Sequence, residues 1–386
     1  MTEIARRMAQ IAPFHVMDLL AKARQLEAQG RSIIHMEIGE PDYPTPQPVV
    51  VAAQRALSGG NVHYTPATGL PELRQEIAAY YGRKYRVEVD PHQVIVTPGS
   101  SGALQLLMNV LINPGESVLM ADPGYPCNRH FVSMVDGIPV GVPVGEDTAY
   151  QLTAELVEQA WRDDTKAVLI ASPSNPTGTL LAESELRQLY DKVTELGGVL
   201  IVDEIYLGLT YGAEANTALD ISSEICVISS FSKYFCMTGW RLGWMVAPEA
   251  MIDPLDRLAQ NMFLSAPTLS QMAAMSAFSP EVIDILEQRR LAFQQRRDFL
   301  LPALRDLGFS LPVTPQGAFY LYAGCGEHAG DSQKLAQQLL NEAGVAVTPG
   351  LDFGFNRPES YLRFAYTTSM DQLQEGVERI ARFLTQ

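Results

Sequence analysis

One lysine sits among small hydroxyl residues in Ser229-Ser230-Phe231-Ser232-Lys233, directly after the apolar run 225–228, and Arg241 follows in Gly239-Trp240-Arg241. Burial and neighbouring cations lower a lysine's pKa until its amine becomes a nucleophile. Ser230 and Arg241 are residue types that hold a phosphate, one by its hydroxyl and the other by a guanidinium fork. An amine beside a phosphate clamp points to a phosphorylated aldehyde, that is, pyridoxal phosphate. The competing reading is a surface lysine in a polar loop, since lysine is mostly exposed. The rest of the chain has to separate the two.

A pyridoxal phosphate site needs, besides the lysine, an acid for the ring nitrogen, donors to the phenolic oxygen, a phosphate cup and a clamp for the substrate carboxylate. Asp203 closes the apolar run Val199-Leu200-Ile201-Val202 and could face a ring nitrogen, or it could be an ordinary capping or salt-bridged aspartate. Tyr206 and Asn175 supply a hydroxyl and an amide, although Asn175 also lies in the turn sequence Ser174-Asn175-Pro176-Thr177-Gly178. Tyr125 could stack on a planar ring or serve as a plain aromatic anchor. Arg363, inside Tyr361-Leu362-Arg363-Phe364, is a fork on an apolar strand, which wants either a ligand carboxylate or an internal ion pair.

Periodicity indicates the elements that must position these groups. Phe14, Met17, Leu19, Leu20 and Leu26 recur at helical spacing, with Gly30 as the stop, and 33–38 reads as a short strand. Pro41, Pro44, Pro46 and Pro48 predict an extended, rigid segment, preceded by a backbone N–H of Gly39 that an anion could use. A turn-rich loop containing Tyr64 precedes a predicted helix at 72–81. The predicted strand 94–97 runs through Gly99-Ser100-Ser101 into a helix at 103–111, a junction where N–H groups, hydroxyls and the helix dipole suit an anion. It matches neither the nucleotide P-loop nor the dinucleotide fingerprint.

Further strands are predicted at 117–121, 139–144, 167–172, 199–203, 225–229 and 242–247, with helices near 154–160 and 183–196. Such alternation predicts an α/β fold with a mostly parallel seven-stranded sheet flanked by helices. In these sheets ligands lie beyond the carboxyl ends of the strands. Ser100, Ser101, Tyr125, Asn175, Asp203 and Lys233 each follow a predicted strand, and that shared position turns separate signals into one site. After Pro280 the pattern changes to a long charged helix at 281–307, short strands near 318–322, 344–347 and 361–364, and an amphipathic helix at 370–384. The division expected is a large domain at 36–280 and a smaller α+β domain made of 1–35 plus 281–386.

Composition agrees with an enzyme of this kind. The 386 residues carry a net charge of −16, which disfavours nucleic acid as a partner because phosphate backbones need a basic face. Cys127, Cys226, Cys236 and Cys325 form no CxxC pair and no metal-ligand spacing, so reduced thiols and no metal are expected. No apolar run approaches the ~18 residues of a membrane span, and no apolar targeting segment follows the N-terminus. A cytoplasmic location is the expectation.

Taken together, Tyr64, Gly99-Ser100-Ser101, Asn175-Pro176-Thr177-Gly178, Asp203-Glu204-Ile205-Tyr206, Ser230-Phe231-Ser232-Lys233, Gly239-Trp240-Arg241 and Arg363 resemble the motifs of the class I/II aminotransferases, in family order over nearly the whole chain. These are fold-type I, aspartate-aminotransferase-like enzymes that use pyridoxal 5′-phosphate. The resemblance implies that Lys233 forms a Schiff base with the cofactor and moves the substrate proton. It implies that Asp203 pairs with the ring nitrogen, that Tyr206 and Asn175 bond the phenolic oxygen, and that Tyr125 stacks on the ring. Ser100, Ser101, Ser230 and Arg241 would hold the phosphate, with Tyr64 supplied by the partner of a homodimer with shared active sites. Arg363 and Gly39, together with Asn175 and Phe14, would bind the substrate.

Two departures bear on the donor. Aspartate-specific bacterial relatives usually carry a lysine where this chain has Ser101, and small hydroxyl residues near Phe14 and His15. The expectation is therefore a neutral or aromatic L-amino acid rather than aspartate, with a 2-oxo acid such as 2-oxoglutarate as acceptor. His15, Lys22 and Arg129 are the cations considered for the acceptor's distal carboxylate. A carbon–sulfur β-lyase on the same cofactor is the nearest rival. A ligand-sensing module without turnover is a remoter one, disfavoured because the first helix is expected near Ala12, with no room for a basic DNA-binding extension before it.

Overall fold

The protein, analysed as a computed structural model, is described over residues 4–13, 15–213, 215–328 and 330–385. Helix His15–Ala28 (α1) leads to the two-residue strand Ile34–His35 (β1), then to helices Gln47–Gly59 (α2) and Pro71–Tyr85 (α3). The central sheet is built from Val94–Thr97 (β2), Ser117–Asp122 (β3), Ile138–Pro143 (β4), Thr165–Ala171 (β5), Val199–Asp203 (β6), Cys226–Ser230 (β7) and Gly243–Val246 (β8). Helices Gly99–Leu111 (α4), Pro126–Met134 (α5), Ala154–Ala160 (α6) and Glu183–Glu195 (α7) connect these strands. Helices Glu249–Met262 (α8), Thr268–Ala274 (α9) and Pro280–Asp306 (α10) follow. The C-terminal part runs through Tyr320–Gly324 (β9), Ser332–Gln338 (α11), Val345–Ala346 (β10), Thr348–Pro349 (β11), Tyr361–Ala365 (β12) and Met370–Leu384 (α12).

The seven strands stand in the order β2-β8-β7-β6-β5-β3-β4. All run the same way except β8, which is antiparallel to both β2 and β7. Side chains alternate along each strand, so two apolar layers form. Ile95, Leu169, Ile201, Ile228 and Met245 pack with α4 and α8. Val96, Val168, Val202, Val227 and Trp244 pack on the other face with α3 and α7. Burial on both faces is why these strands read as unbroken apolar runs. The edge strand β4 is the exception, half exposed and carrying Pro139 and Pro143, which suit an unpaired edge.

The predicted parallel sheet and its seven strands are present, and α12 has its predicted bounds. Several local expectations need correction. The proline segment is extended only as far as Pro46; Pro48 sits in the first turn of α2, where a missing N–H costs no helical bond. The helix after β2 begins at Gly99, not at 103, so Ser100 and Ser101 belong to its first turn. The strand predicted at 33–38 is only two residues long, because β10 offers just two partners. The strand predicted at 344–347 divides into β10, paired with β1, and β11, paired with β12. Helices α2, α5, α8 and α9 have no counterpart among the predicted elements.

One ion pair, buried on its arginine side, fastens the proline segment to α10. Arg296 donates to both carboxylate oxygens of Asp42 at 2.7 and 2.9 Å and to the Tyr43 hydroxyl at 3.2 Å. Its guanidinium also lies 5.1 Å from the ring centres of Tyr43 and Phe293. Truncating Arg296 loses these bonds and its packing on the two rings, while water reaches the Asp42 carboxylate left behind. Arg296→Ala is expected to lower unfolding free energy by about 2–3 kcal/mol. Urea denaturation measures this, and a loss within error of zero would mean that solvent holds Asp42 equally well.

Candidate active site

At the carboxyl edge of the sheet, loops leaving β2, β3, β5, β6 and β7 converge around a cavity of about 270 Å³. Its walls include Ser100 and Ser101 from α4, Tyr125, Asn175, Asp203, Tyr206, Ser230 and Lys233, together with Gly39, Arg241 and Arg363. Arg241 joins them because β8 is reversed, so the residues entering β8 lie at the edge where the other strands end. Thus eleven of the thirteen sequence-predicted site residues line one cavity. Tyr64 does not: in the single chain its side chain is 81% exposed. Phe14 lies outside the described residues.

Lys233 Nζ donates to the Gly39 carbonyl at 2.7 Å. Burial pulls its ammonium down to about 8; the Glu40 carboxylate opposes this, while the Arg363 and Arg241 guanidiniums add to it. Burial likewise pushes Asp203 up to about 7, against a backbone N–H from Ile205 and the charge of Lys233. Asp203 Oδ1 accepts from that N–H at 3.1 Å. Among the described residues the buried carboxyl forms no ion pair, so a cationic ligand nitrogen would ionise it. Tyr206 and Tyr320 share a hydrogen bond of 2.8 Å between their hydroxyls, and burial drives the Tyr206 phenol well above its ordinary range.

Arg363 is 3% exposed. It donates to the Glu37 carbonyl at 2.6 Å, to Asn175 Oδ1 at 3.0 Å and to Thr348 Oγ1 at 3.4 Å. Its guanidinium lies 4.4 Å from the ring centre of Tyr320 and 4.8 Å from that of Phe353. Among the described residues it has no ion-pair partner, and its Nε has no hydrogen bond. A buried, unpaired guanidinium facing a cavity is a receptor for a carboxylate.

The other charged corner lies at the start of α4. Gly99 has φ +72°, and a β-carbon there would stand 2.7 Å from Arg241 Nη2. Only glycine lets the guanidinium approach so closely. The cation thus sits at a helix N-terminus, an unfavourable place for positive charge unless an anion lies between them. Arg241 has no ion-pair partner among the described residues and donates to the Thr238 carbonyl at 3.0 Å. Gly39 meets a similar demand on the opposite wall, since a β-carbon there would stand 2.0 Å from the Tyr320 hydroxyl.

Comparison with known proteins gives this arrangement a family. A family model described as aminotransferase class I and II matches residues 31–380. The chain belongs to that family. Among its relatives, the (5-formylfuran-3-yl)methyl phosphate transaminase of Methanocaldococcus jannaschii is 37% identical over 99% of each chain. The valine–pyruvate aminotransferase of Mycobacterium tuberculosis is 36% identical over 100% of this chain and 99% of the relative. The solved structure of Thermus thermophilus aspartate aminotransferase with maleate superimposes with a TM-score of 0.94 at 33% identity, covering 99% of this chain and 100% of that one. The protein is therefore an aminotransferase with the aspartate-aminotransferase-like fold, and its cofactor is pyridoxal 5′-phosphate. The aminotransferase site fits that cofactor: an amine with lowered pKa, a buried carboxyl and an unneutralised anion corner line one cavity.

Some contributors were not anticipated from the sequence. Tyr320, which touches both Tyr206 and Arg363, and Phe353 give no local signal beyond being aromatic residues in apolar surroundings. Val16, Met17 and Leu20 of α1 also line the cavity; their helical spacing is visible in the sequence, though it reads as an ordinary packing face.

Asp203 makes a pH test of the cofactor-free aminotransferase. A carboxyl raised from 3.8 to about 7 by folding favours the folded state below pH ~4, and that contribution is lost as pH rises towards 7. Asp203→Asn removes the loss, so the variant should gain on the wild type between pH 5.5 and 7.5, by about 2 kcal/mol at most. Thermal melts of the cofactor-free proteins at the two pH values check this. An unchanged difference would show that Asp203 ionises freely.

Proposed function

We propose that this aminotransferase moves the amino group of a neutral or aromatic L-amino acid, rather than aspartate, to a 2-oxo acid such as 2-oxoglutarate. The observation that carries the donor preference is the makeup of the cavity wall. Val16, Met17 and Leu20 line it together with Ser101, which offers no cation for a second carboxylate. A site built to hold a donor's distal carboxylate needs a partner for that charge, whereas an apolar wall gains by covering an apolar side chain. The Mycobacterium tuberculosis relative named for valine and pyruvate agrees with this choice, whereas the Thermus thermophilus structure is that of an aspartate enzyme.

When bound, pyridoxal phosphate supplies an electron sink for the bond broken at the amino acid's α-carbon. The chain's own residues do the rest. Lys233 is the amine that would hold the cofactor's aldehyde, and the same amine would move the proton at the substrate α-carbon. A pKa near 8 leaves part of the amine neutral close to neutral pH. Asp203 ionises against the ring nitrogen. Tyr206 and the amide NH₂ of Asn175 donate to the phenolic oxygen, and Asn175 Oδ1 stays on Arg363. Tyr125 stacks on the ring, and Ser100, Ser101, Ser230 and Arg241 hold the phosphate at the α4 N-terminus. Arg363 receives the substrate α-carboxylate, with the Gly39 N–H beside it. Phe14 is proposed near the donor side chain.

Tyr64 is assigned to the neighbouring site of a homodimer. Its high exposure supports this, as do the exposed Leu57, Val62 and Met275 on or near the packed pair α2 and α9. A two-domain division at 36–280 and 1–35 plus 281–386 belongs to the same proposal, as does a cytoplasmic location. Among the described residues no helix is long and apolar enough to cross a membrane.

Single amino acids added to the holoenzyme without an oxo acid test the donor. Leucine, methionine or phenylalanine should convert the cofactor's visible band to that of its aminated form, and 2-oxoglutarate should restore it. Conversion by aspartate alone would overturn the preference; pyruvate and ammonia released from cysteine would instead favour the lyase. Borohydride reduction followed by peptide mass spectrometry should find the cofactor on Lys233, and Lys233→Ala should lose turnover while remaining folded. Arg363→Ala should raise the donor KM by about 100-fold, the scale of a lost charged hydrogen-bond pair. Ser101→Lys should raise kcat/KM for aspartate relative to leucine by about tenfold, as one added charged contact allows.

A further inference from the structure

A segment outside the cofactor cavity ties its walls together. The Asp352 carboxylate accepts from the backbone N–H groups of His15 at 3.0 Å and Val16 at 2.8 Å, the first two residues of α1. These donors have no partner within the helix, so a carboxylate 336 positions away in sequence supplies the cap of α1. The Asp352 carbonyl accepts from Arg129 Nη2 on α5 at 2.8 Å. At the next residue, the Phe353 carbonyl accepts from the Gly124 N–H at 2.8 Å, beside Tyr125. The Phe353 ring in turn faces the Arg363 guanidinium. Asp352 and Phe353 are 2% and 1% exposed.

We infer that Asp352 is a positioning residue for donor selectivity: its clamp on the first turn of α1 sets how closely Val16, Met17 and Leu20 approach the substrate side chain. Further along, α1 rests on a small apolar cluster in which Ala23 packs with Ile33, Leu340 and Ala346, and Leu19 and Leu26 lie against it. That cluster does not reach the first turn. Met17 is 55% exposed, so it gains little fixing from packing of its own. The carboxylate therefore registers the cavity-lining turn to Asp352, and through Arg129 and Gly124 to the ring-stacking wall. Asp352 does not line the cavity itself. A loosened clamp should penalise donors long enough to touch α1, and spare alanine, whose methyl group is too short to need that wall.

This inference rests on the apolar-donor reading above, and the experiment separates the two. Steady-state kinetics are compared for leucine, methionine and alanine in wild type, Asp352→Ala and the isosteric Asp352→Asn, all as holoenzyme with equal cofactor content. For Asp352→Ala, KM for leucine and methionine should rise by about tenfold relative to alanine, the scale of one lost helix cap, with kcat little changed. Asp352→Asn keeps one acceptor oxygen and should fall between; it also carries the test if the alanine variant does not fold. Hydrogen exchange at amides 15–20 should quicken in both variants while amides of α10 stay protected. An unchanged donor ranking, or a loss shared equally by alanine, would overturn the clamp. A wild type that uses aspartate but not leucine would overturn the donor reading instead.

Discussion

Arg363 carries a charge into a buried place between two aromatic rings, with only carbonyl, amide and hydroxyl oxygens to hold it. Neutral oxygens satisfy the hydrogen-bonding geometry of a guanidinium without cancelling its charge. Across the same cavity stand Lys233, half-buried and bonded to the Gly39 carbonyl, and Arg241, more exposed and bonded to the Thr238 carbonyl. Burial lowers the pKa of Lys233, and the nearby Arg363 and Arg241 charges add to that fall. The cavity is thus organised around negative charge that ligands bring. A phosphate and a carboxylate are worth more in such a setting than at the surface, because little solvent reorganises to receive them.

The sheet makes this concentration of charge tolerable. Its strands bury apolar side chains on both faces, and the polar residues appear only where the strands stop. Asp203 and Lys233 leave adjacent parallel strands, β6 and β7, so the acid and the amine lie near each other without needing a direct ion pair. The antiparallel β8 brings Arg241 to the same edge. Glycine at 99 lets that arginine reach the helix N-terminus, which no larger residue would permit without displacing it.

The strand-end residues are legible in the sequence because each closes an apolar run too short for a helix and too apolar for an exposed strand. Lys233, Asp203, Asn175 and Tyr125 can be read that way, and the parallel sheet follows from the same runs. The start of α2 is harder to read, because its prolines mark both extended chain and a helix's first turn. Tyr320 and Asp352 are hidden for another reason. One is a tyrosine among many, and the other caps a helix from the opposite end of the chain, a relation no local pattern encodes. Tyr64 points to solvent in the single chain, so its assignment rests on the family resemblance, and Phe14 lies outside the described residues.

The stretch between β7 and β8 has a wider meaning. The chain leaves the sheet after Ser230 and re-enters it at Gly243, and within that one excursion lie Lys233 and Arg241. The span between the cavity's amine and its Arg241 guanidinium is therefore the property of a single loop, ruled at both ends by paired neighbouring strands. Helix α1, which lines the other side of the cavity and is proposed to meet the donor, comes from the far end of the chain and is fastened elsewhere. Cofactor geometry and donor choice can then drift independently, as two separately adjustable modules. A lineage could exchange one amino acid for another by rewriting a few residues near its N-terminus while the reaction centre stays as it is.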